Sequence, residues 1–165
     1  ADIVHMATYA PLFAHVEGWQ WRPDMIWYDN LRMARTCSYY VQQLYATHKG
    51  THVLTLQMNG KPVAGNDEPD GLFASAVYDA GSNEYVVKVA NTSAVEQPIT
   101  LNFSLQKKQS FTTGKVIELT SQGLLTENTV DAPNRVQPVE QNIAVNGSVL
   151  ETKIPAHSFR VYILK

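Results

Sequence analysis

A chain of 165 residues with a formal net charge of −2 suits one compact domain with a short appendage, and its balance excludes a protein that binds nucleic acid through a basic surface. Hydrophobic residues make up 44% and charged residues only 17%, a mix that fits a β-rich protein with a real core better than a solvated helical one. The single cysteine, Cys37, permits no internal disulfide, and no apolar run approaches the roughly 20 residues of a membrane-spanning helix.

The lone cysteine disfavours a small disulfide-stapled secreted domain, but a core of this size holds without disulfides, so a periplasmic or secreted enzyme stays open and is the guess carried forward. The opening Ala1-Asp2-Ile3-Val4 has neither the basic flank nor the apolar stretch of a signal peptide and no initiating Met. The chain is therefore expected to begin inside a longer protein.

The first fifty residues hold Trp19, Trp21, Trp27 and five of the eight tyrosines, a density of aromatics that needs a partner surface. Residues 3–14 are apolar on all sides, as in an element buried on both faces, and Met25-Ile26-Trp27-Tyr28 forms a second short buried run ending at Asp29-Asn30. A helix is expected over about 37–48: Tyr40, Val41, Leu44, Tyr45 and His48 share a face, Thr36 or Ser38 caps its start and Gly50 ends it.

Beyond Gly50 the period becomes two. Ile99, Leu101, Phe103 and Leu105 alternate with polar residues, and Phe159, Val161 and Ile163 alternate likewise; both sets are expected to face inward. Further strands are expected at 52–58, 72–79, 84–91, 114–120 and 148–154. Turn clusters at Asn59-Gly60, Asn66–Gly71, Ala80–Asn83 and Asn146-Gly147 separate them, the last read as the best hairpin signal. Residues 122–142, with Pro133 and Pro138, read as a long loop crossing an edge. Seven or more short antiparallel strands point to a mainly β fold, a β-sandwich.

Chemistry-bearing constellations are sparse. The five histidines are scattered and one cysteine builds no thiolate site, so no metal or other cofactor is expected. Cys37 opens the helix, where the macrodipole favours a thiolate, but a small buried residue is the simpler reading. His157 and Ser158, adjacent in a strand pattern, point to opposite faces and form no dyad. Glycoside cleavage needs two carboxylates at a set separation. No Glu or Asp lies in an apolar stretch as an acid of raised pKa would, and Glu118 and Glu151 read as outward and solvated. Asp29 stands apart, since it follows a buried run and so could lie at the C-terminal end of a barrel strand, where such enzymes place functional groups; a turn at Asp29-Asn30 is the other reading. The tryptophans could stack on sugar rings or pack at a seam between domains.

Three runs carry a specific resemblance: Ala7-Thr8-Tyr9-Ala10-Pro11-Leu12-Phe13-Ala14, then Trp21-Arg22-Pro23-Asp24-Met25-Ile26-Trp27-Tyr28-Asp29-Asn30, then Ser38-Tyr39-Tyr40-Val41-Gln42. Asn134-Arg135-Val136-Gln137-Pro138 and Ile154-Pro155-Ala156-His157-Ser158-Phe159 add two later matches. Together they make the chain resemble, over almost its whole length, α-L-arabinofuranosidases of glycoside hydrolase family 51.

That resemblance implies a (β/α)8 barrel followed by a jelly-roll sandwich. Residues 1–50 would be the end of the barrel and 51–165 the C-terminal sandwich. It implies hydrolysis of terminal arabinofuranosyl groups with retention, by two glutamates on earlier barrel strands that have no counterpart here. No residue of this chain is therefore expected to be catalytic. Trp21, Asp29 and Asn30 are the candidate substrate contacts, whereas the glutamine that contacts substrate in better-known branches is replaced by Pro11 or a neighbour. The expected partner is an arabinose-containing polysaccharide or oligosaccharide met through the full-length enzyme, with self-association through uncovered apolar surface and no nucleic acid or membrane. The alternative is a non-catalytic carbohydrate-binding or structural β-sandwich module, which would carry its aromatics on the sandwich itself.

Overall fold

Alternation of apolar and polar residues beyond Gly50 builds what it should, two facing antiparallel sheets. The computed structural model describes residues 6–62, 71–105 and 110–165. Residues 3–5 of the first apolar run, most of the Asn66–Gly71 turn, Gln106 and Lys107-Lys108 lie outside the described residues.

Three short strands come first, β1 (Phe13–His15), β2 (Ile26–Tyr28) and β3 (Met33–Arg35), followed by helix α1 (Cys37–Thr47). The remaining strands are β4 (His52–Val53), β5 (Gln57–Met58), β6 (Lys61–Pro62), β7 (Leu72–Asp79), β8 (Glu84–Asn91), β9 (Gln97–Asn102), β10 (Gly114–Leu119), β11 (Val139–Ile143), β12 (Val149–Ile154) and β13 (Ser158–Leu164). One sheet has six strands in the order β11-β10-β13-β8-β7-β4, and β12 and β9 pair as a second sheet of two. β5 and β6 form a hairpin through Asn59 and Gly60, whose φ values of 52° and 76° mark a turn of the type that matches strand twist.

The six-stranded sheet is covered on both faces at its centre. Toward β9 and β12 it presents Leu72, Ala76, Val87, Val89, Val116, Tyr162 and Leu164, which pack with Leu150 and Ile154 and with half-buried Ile99, Leu101 and Phe103. Its other face carries Val86, Ile117, Leu119, Phe159 and Val161 against Tyr40 and Leu44 of α1. Ile99, Leu101 and Phe103 thus face the sandwich interior as expected. Phe159, Val161 and Ile163 are packed too, but under the helix. The interior positions of β13 belong to Tyr162 and Leu164, because the sheet has a second partner layer that an alternating pattern cannot assign to a side.

Further sequence expectations change. Residues 139–143 are edge strand β11, paired with β10, rather than the tail of a loop; nearly all its side chains are exposed, so it has no inward apolar row to announce it. Asn146-Gly147 does not join a hairpin: β11 and β12 lie in different sheets, and Gly147, at φ 94°, bridges Phe111 instead.

α1 begins where Thr36 caps it, its hydroxyl accepting from the Tyr39 N–H at 3.4 Å and donating to the Met25 carbonyl at 2.9 Å. At its other end the ammonium of Lys88, only 4% exposed, donates to the His48 carbonyl at 2.5 Å and lies 4.9 Å from the Tyr45 ring centre. A cation at a helix C-terminus is favourable, yet burial disfavours the charge and pushes the Lys88 pKa down. In the window between that lowered pKa and the ordinary lysine value, the unfolded chain holds a proton that the folded one has released, so stability rises with pH there. Lys88→Met removes the buried charge, and its stability relative to the parent chain is expected to fall between pH 7 and pH 10. Urea titrations of both proteins at the two pH values measure it; a constant difference contradicts the account.

Two further polar anchors tie loops to the sandwich. Asn91, 1% exposed, donates to the carbonyls of Val95 and Pro155 and accepts from the Ser93 N–H. Arg160 meets Glu118 across adjacent strands, at 2.5 Å from Nε, and reaches the Lys153 carbonyl of the facing sheet. Glu118 is therefore a half-buried partner of Arg160, not the solvated outward residue its strand pattern suggested; Glu151 is exposed.

Candidate functional site

The β1–β3 sheet forms around one indole. β1 and β2 run parallel with Ala14 opposite Trp27, and β3 returns antiparallel with Ala34 opposite Trp27. The two alanines leave room for the ring, so Ala14, Trp27 and Ala34 make a small buried cluster. Alternation puts Phe13, His15 and Tyr28 on the other face, where Tyr28 meets both rings edge-on at 6.3 and 5.2 Å. That face is open: Phe13 is 59% and Met33 49% exposed. The apolar run that reads as buried on both sides is thus covered on one side only, because only three strands lie here.

The three tryptophans divide. Trp27 is buried, Trp19 packs edge-on against it at 5.8 Å, and the Arg22 guanidinium lies about 5 Å from both ring centres, a favourable cation–π placement. Trp21, on the same connection from β1 to β2, is 58% exposed. Nearby Asp24 is 1% exposed, and its Oδ2 meets no donor among the described residues, the one buried side-chain oxygen there left unbalanced.

Asp29 and Asn30 lie in the turn between β2 and β3, beyond the other end of β2 from Trp21. Oδ1 of Asp29 accepts from the N–H groups of Leu31 at 2.8 Å and Arg32 at 2.6 Å. Oδ2 accepts from Arg32 Nε at 2.9 Å and Nη2 at 2.8 Å. The Leu31 N–H and the Arg32 guanidinium hold the Asp29 pKa below the usual carboxylate range. The group is ionised near neutrality and its acceptor positions are filled, which makes it the organiser of this turn. Asn30 is exposed beside it.

The strap between β10 and β11 grips this sheet. Glu127 pairs with Arg22 at 3.2 Å and Asp131 with Arg32 at 2.6 Å. Between them Asn128, 3% exposed, donates to the carbonyls of Arg35 at 2.8 Å and Val136 at 2.7 Å and accepts from the Val136 N–H at 2.8 Å. None of these five strap contacts is visible in the sequence, since they join residues about a hundred positions apart or use an Asn that reads as a loop residue.

As for catalysis, the resolved carboxylate shifts, at Asp29 and Asp79, are both downward, opposite to what a general acid needs. No cluster of three His, Cys, Asp or Glu residues suited to a metal occurs among the described residues. Cys37 is exposed rather than buried; partial desolvation of its sulfur pushes the thiol pKa up, against the pull of the helix start. His157 sits in a turn at φ 47°, and the Ser158 hydroxyl donates to the Pro155 carbonyl at 2.6 Å. Large exposed aromatics cluster before Gly50, and no tryptophan lies on the sandwich.

Comparison with known proteins bears on all of this. The chain is 30% identical to α-L-arabinofuranosidase 1 of Arabidopsis thaliana over 168 residues, which is 99% of this chain and 24% of that protein. It is also 30% identical to a probable α-L-arabinofuranosidase A of Aspergillus flavus over 165 residues, 98% of this chain and 24% of that protein. The chain thus spans about a quarter of the length of the curated relatives it matches. Among solved structures, an arabinose-bound family 51 α-L-arabinofuranosidase superposes with a TM-score of 0.82 at 28% identity, covering 99% of this chain and 25% of that one. The Thermotoga petrophila enzyme shares the fold, with a TM-score of 0.67 at 18% identity over 86% of this chain and 31% of its own. Residues 1–158 match the model of the α-L-arabinofuranosidase C-terminal domain; the chain belongs to that family, the C-terminal region of glycoside hydrolase family 51.

Proposed function

We propose that this chain works as the C-terminal part of an α-L-arabinofuranosidase that removes terminal non-reducing arabinofuranosyl residues from arabinose-containing polysaccharides, with retention and with both catalytic glutamates outside these 165 residues. The observation that carries the reading is likeness to such enzymes along 99% of the chain. The carboxylates support it, because Asp29, Asp79 and Glu118 are engaged by backbone N–H groups or by Arg160 and none is poised as an acid. Residues 1–50 are the end of the barrel and 51–165 the sandwich in this reading; the parallel β1–β2 pair fits a barrel remnant. Trp21, Asp29 and Asn30 serve the substrate side. Trp21 offers a face for stacking, and Asp29 holds the turn that presents Asn30. Exposed Leu12, Phe13, Leu31 and Met33 are surface for the rest of the barrel, and without it they favour self-association.

The test is release of nitrophenol from nitrophenyl α-L-arabinofuranoside. The 165-residue chain is expected to give none above buffer, and the longer polypeptide to turn over. Activity of the short chain that disappears in Glu118→Gln or Glu127→Gln overturns the reading. In the longer polypeptide Trp21→Ala is expected to raise KM on polymeric substrate by roughly 2–10-fold, the worth of one aromatic stacking contact, with kcat on the nitrophenyl substrate unchanged.

A further inference from the structure

One loop of the sandwich reaches both ends of the candidate substrate side. The strap between β10 and β11 is seated at its far end by Val136, 2% exposed, which packs with Tyr40, Leu44, Ile117 and Phe159 in the core under α1. The paired bonds between Asn128 and Val136 then fix the middle of the strap. Directly after Asn128 the chain closes a tight turn. The Ala132 N–H donates to the Thr129 carbonyl at 3.0 Å, and the Thr129 N–H donates to the Ala132 carbonyl at 3.3 Å. The Thr129 hydroxyl also accepts from the Ala132 N–H, at 3.2 Å. Glu127 and Asp131 are thus held on a short, bonded piece of backbone before either meets its arginine.

Each arginine passes that hold to a different candidate contact. Arg22 Nη1 donates to both carboxylate oxygens of Glu127, at 3.3 and 3.2 Å. Its guanidinium lies 5.1 Å from the Trp19 ring centre and 5.2 Å from that of buried Trp27. Arg22 is therefore fixed between the strap and the β1–β3 sheet, and Trp21 is the residue next to it in the chain. Arg32 Nη1 donates to Asp131 at 2.6 Å, while Nε and Nη2 of the same guanidinium bind Asp29, the carboxylate that shapes the turn carrying Asn30. More than half of each arginine side chain is accessible, and ion pairs of that kind add little to stability. What they fix is direction, because a charged contact between two anchored stretches of backbone restricts how the residues beside it are presented.

We propose that Glu127 and Asp131 are positioning residues for polymeric substrate, Glu127 acting on Trp21 through Arg22 and Asp131 acting on Asn30 through Arg32. A loop of the sandwich then sets, through charge, how a saccharide chain is held on the aromatic segment. Each arginine is balanced by a carboxylate of the strap, which leaves the indole face of Trp21 and the amide of Asn30 to meet an uncharged saccharide. The proposal rests on the reading that Trp21 and Asn30 serve the substrate side, and adds what places them. Neither strap carboxylate has a part in bond cleavage.

Kinetics of the longer polypeptide test it, with a neutral arabinose polymer and with nitrophenyl α-L-arabinofuranoside. Glu127→Ala and Asp131→Ala are each expected to raise KM on the polymer by about 2–5-fold, part of the worth of one stacking or hydrogen-bonding contact. The effect falls on KM, with kcat on the nitrophenyl substrate at the parent value and Tm within about 2 °C of it. The double variant Trp21→Ala, Glu127→Ala should have the KM of Trp21→Ala alone. Asp131→Ala should instead multiply onto Trp21→Ala, because the two act through separate arginines. Salt at about 1 M, where the screening length falls to about 3 Å, should bring the parent KM toward that of Glu127→Ala and leave the variant where it was; lost packing alone gives no such response. A parent-like KM in either strap variant, a Glu127 effect that multiplies onto Trp21→Ala, a parent KM that ignores salt, or equal losses of kcat on both substrates overturns the proposal. Trp21→Ala with the parent KM defeats the substrate-side reading and this inference with it. Trp21→Ala with a raised KM beside unaffected strap variants defeats this inference alone.

Discussion

Asn128→Ala should lower the stability of the chain by about 3 kcal/mol, enough to lower Tm by roughly 6–12 °C for a protein of this size. Nothing in the volume change calls for so much. The loss comes from three backbone groups, the carbonyls of Arg35 and Val136 and the Val136 N–H, that would remain buried without partners. The neighbouring ion pairs cannot compensate, since Arg22–Glu127 and Arg32–Asp131 are more than half exposed and such pairs contribute little. Asn128→Asp keeps the acceptor but turns a carboxylate oxygen toward two carbonyls. It should be destabilised more at pH 7 than at pH 4, where a protonated acid again donates, because an acid whose folded pKa is raised stabilises only on the low-pH side. Urea unfolding followed by tryptophan fluorescence measures both. A cost below about 1 kcal/mol for Asn128→Ala, the worth of a single ordinary hydrogen bond, would show that water satisfies these groups and that the strap is not anchored here.

Ile154→Ala is the second large effect, with an expected loss of about 3 kcal/mol. Ile154 is 0% exposed at the end of β12 and enclosed by core side chains of both sheets, so the cavity left behind relaxes only in part. Val149→Ala, at the opposite end of the same strand and 46% exposed, is the control and should stay within about 0.5 kcal/mol. Equal losses at the two positions would mean that β12 is not seated as a lid on the large sheet.

Much of this fold was legible in the sequence. Turn residues and period-two runs placed the sandwich strands, and the helix over 37–48 needed only Thr36 and an apolar stripe to be found. What escaped has a common cause, contact between distant parts of the chain. The side on which Phe159 and Val161 pack depends on α1 arriving from more than a hundred residues away. β11 has no apolar row, because it is an edge strand whose pairing with β10 is made by backbone groups alone. Glu118 looks like a solvated residue until Arg160 is in place. For the candidate site, Asp29 had two readings, and its hydrogen bonds show the turn, whereas the strap that braces the site through Glu127, Asn128 and Asp131 had no local signal at all. The family motifs located the region without revealing how it is held.

The junction after α1 has a mechanical meaning. A Cβ on Gly50 would lie 2.7 Å from both the Tyr78 carbonyl oxygen and the Val77 Cβ, and the next residue, Thr51, donates its N–H to that same carbonyl at 2.9 Å. Its hydroxyl in turn accepts from the Ala80 N–H at 3.0 Å. A joint so tightly seated offers a protease no slack length of backbone to draw into its cleft, although the composition of the chain changes there. It acts as a weld: torque applied to the aromatic segment passes into β7 without a hinge to absorb it.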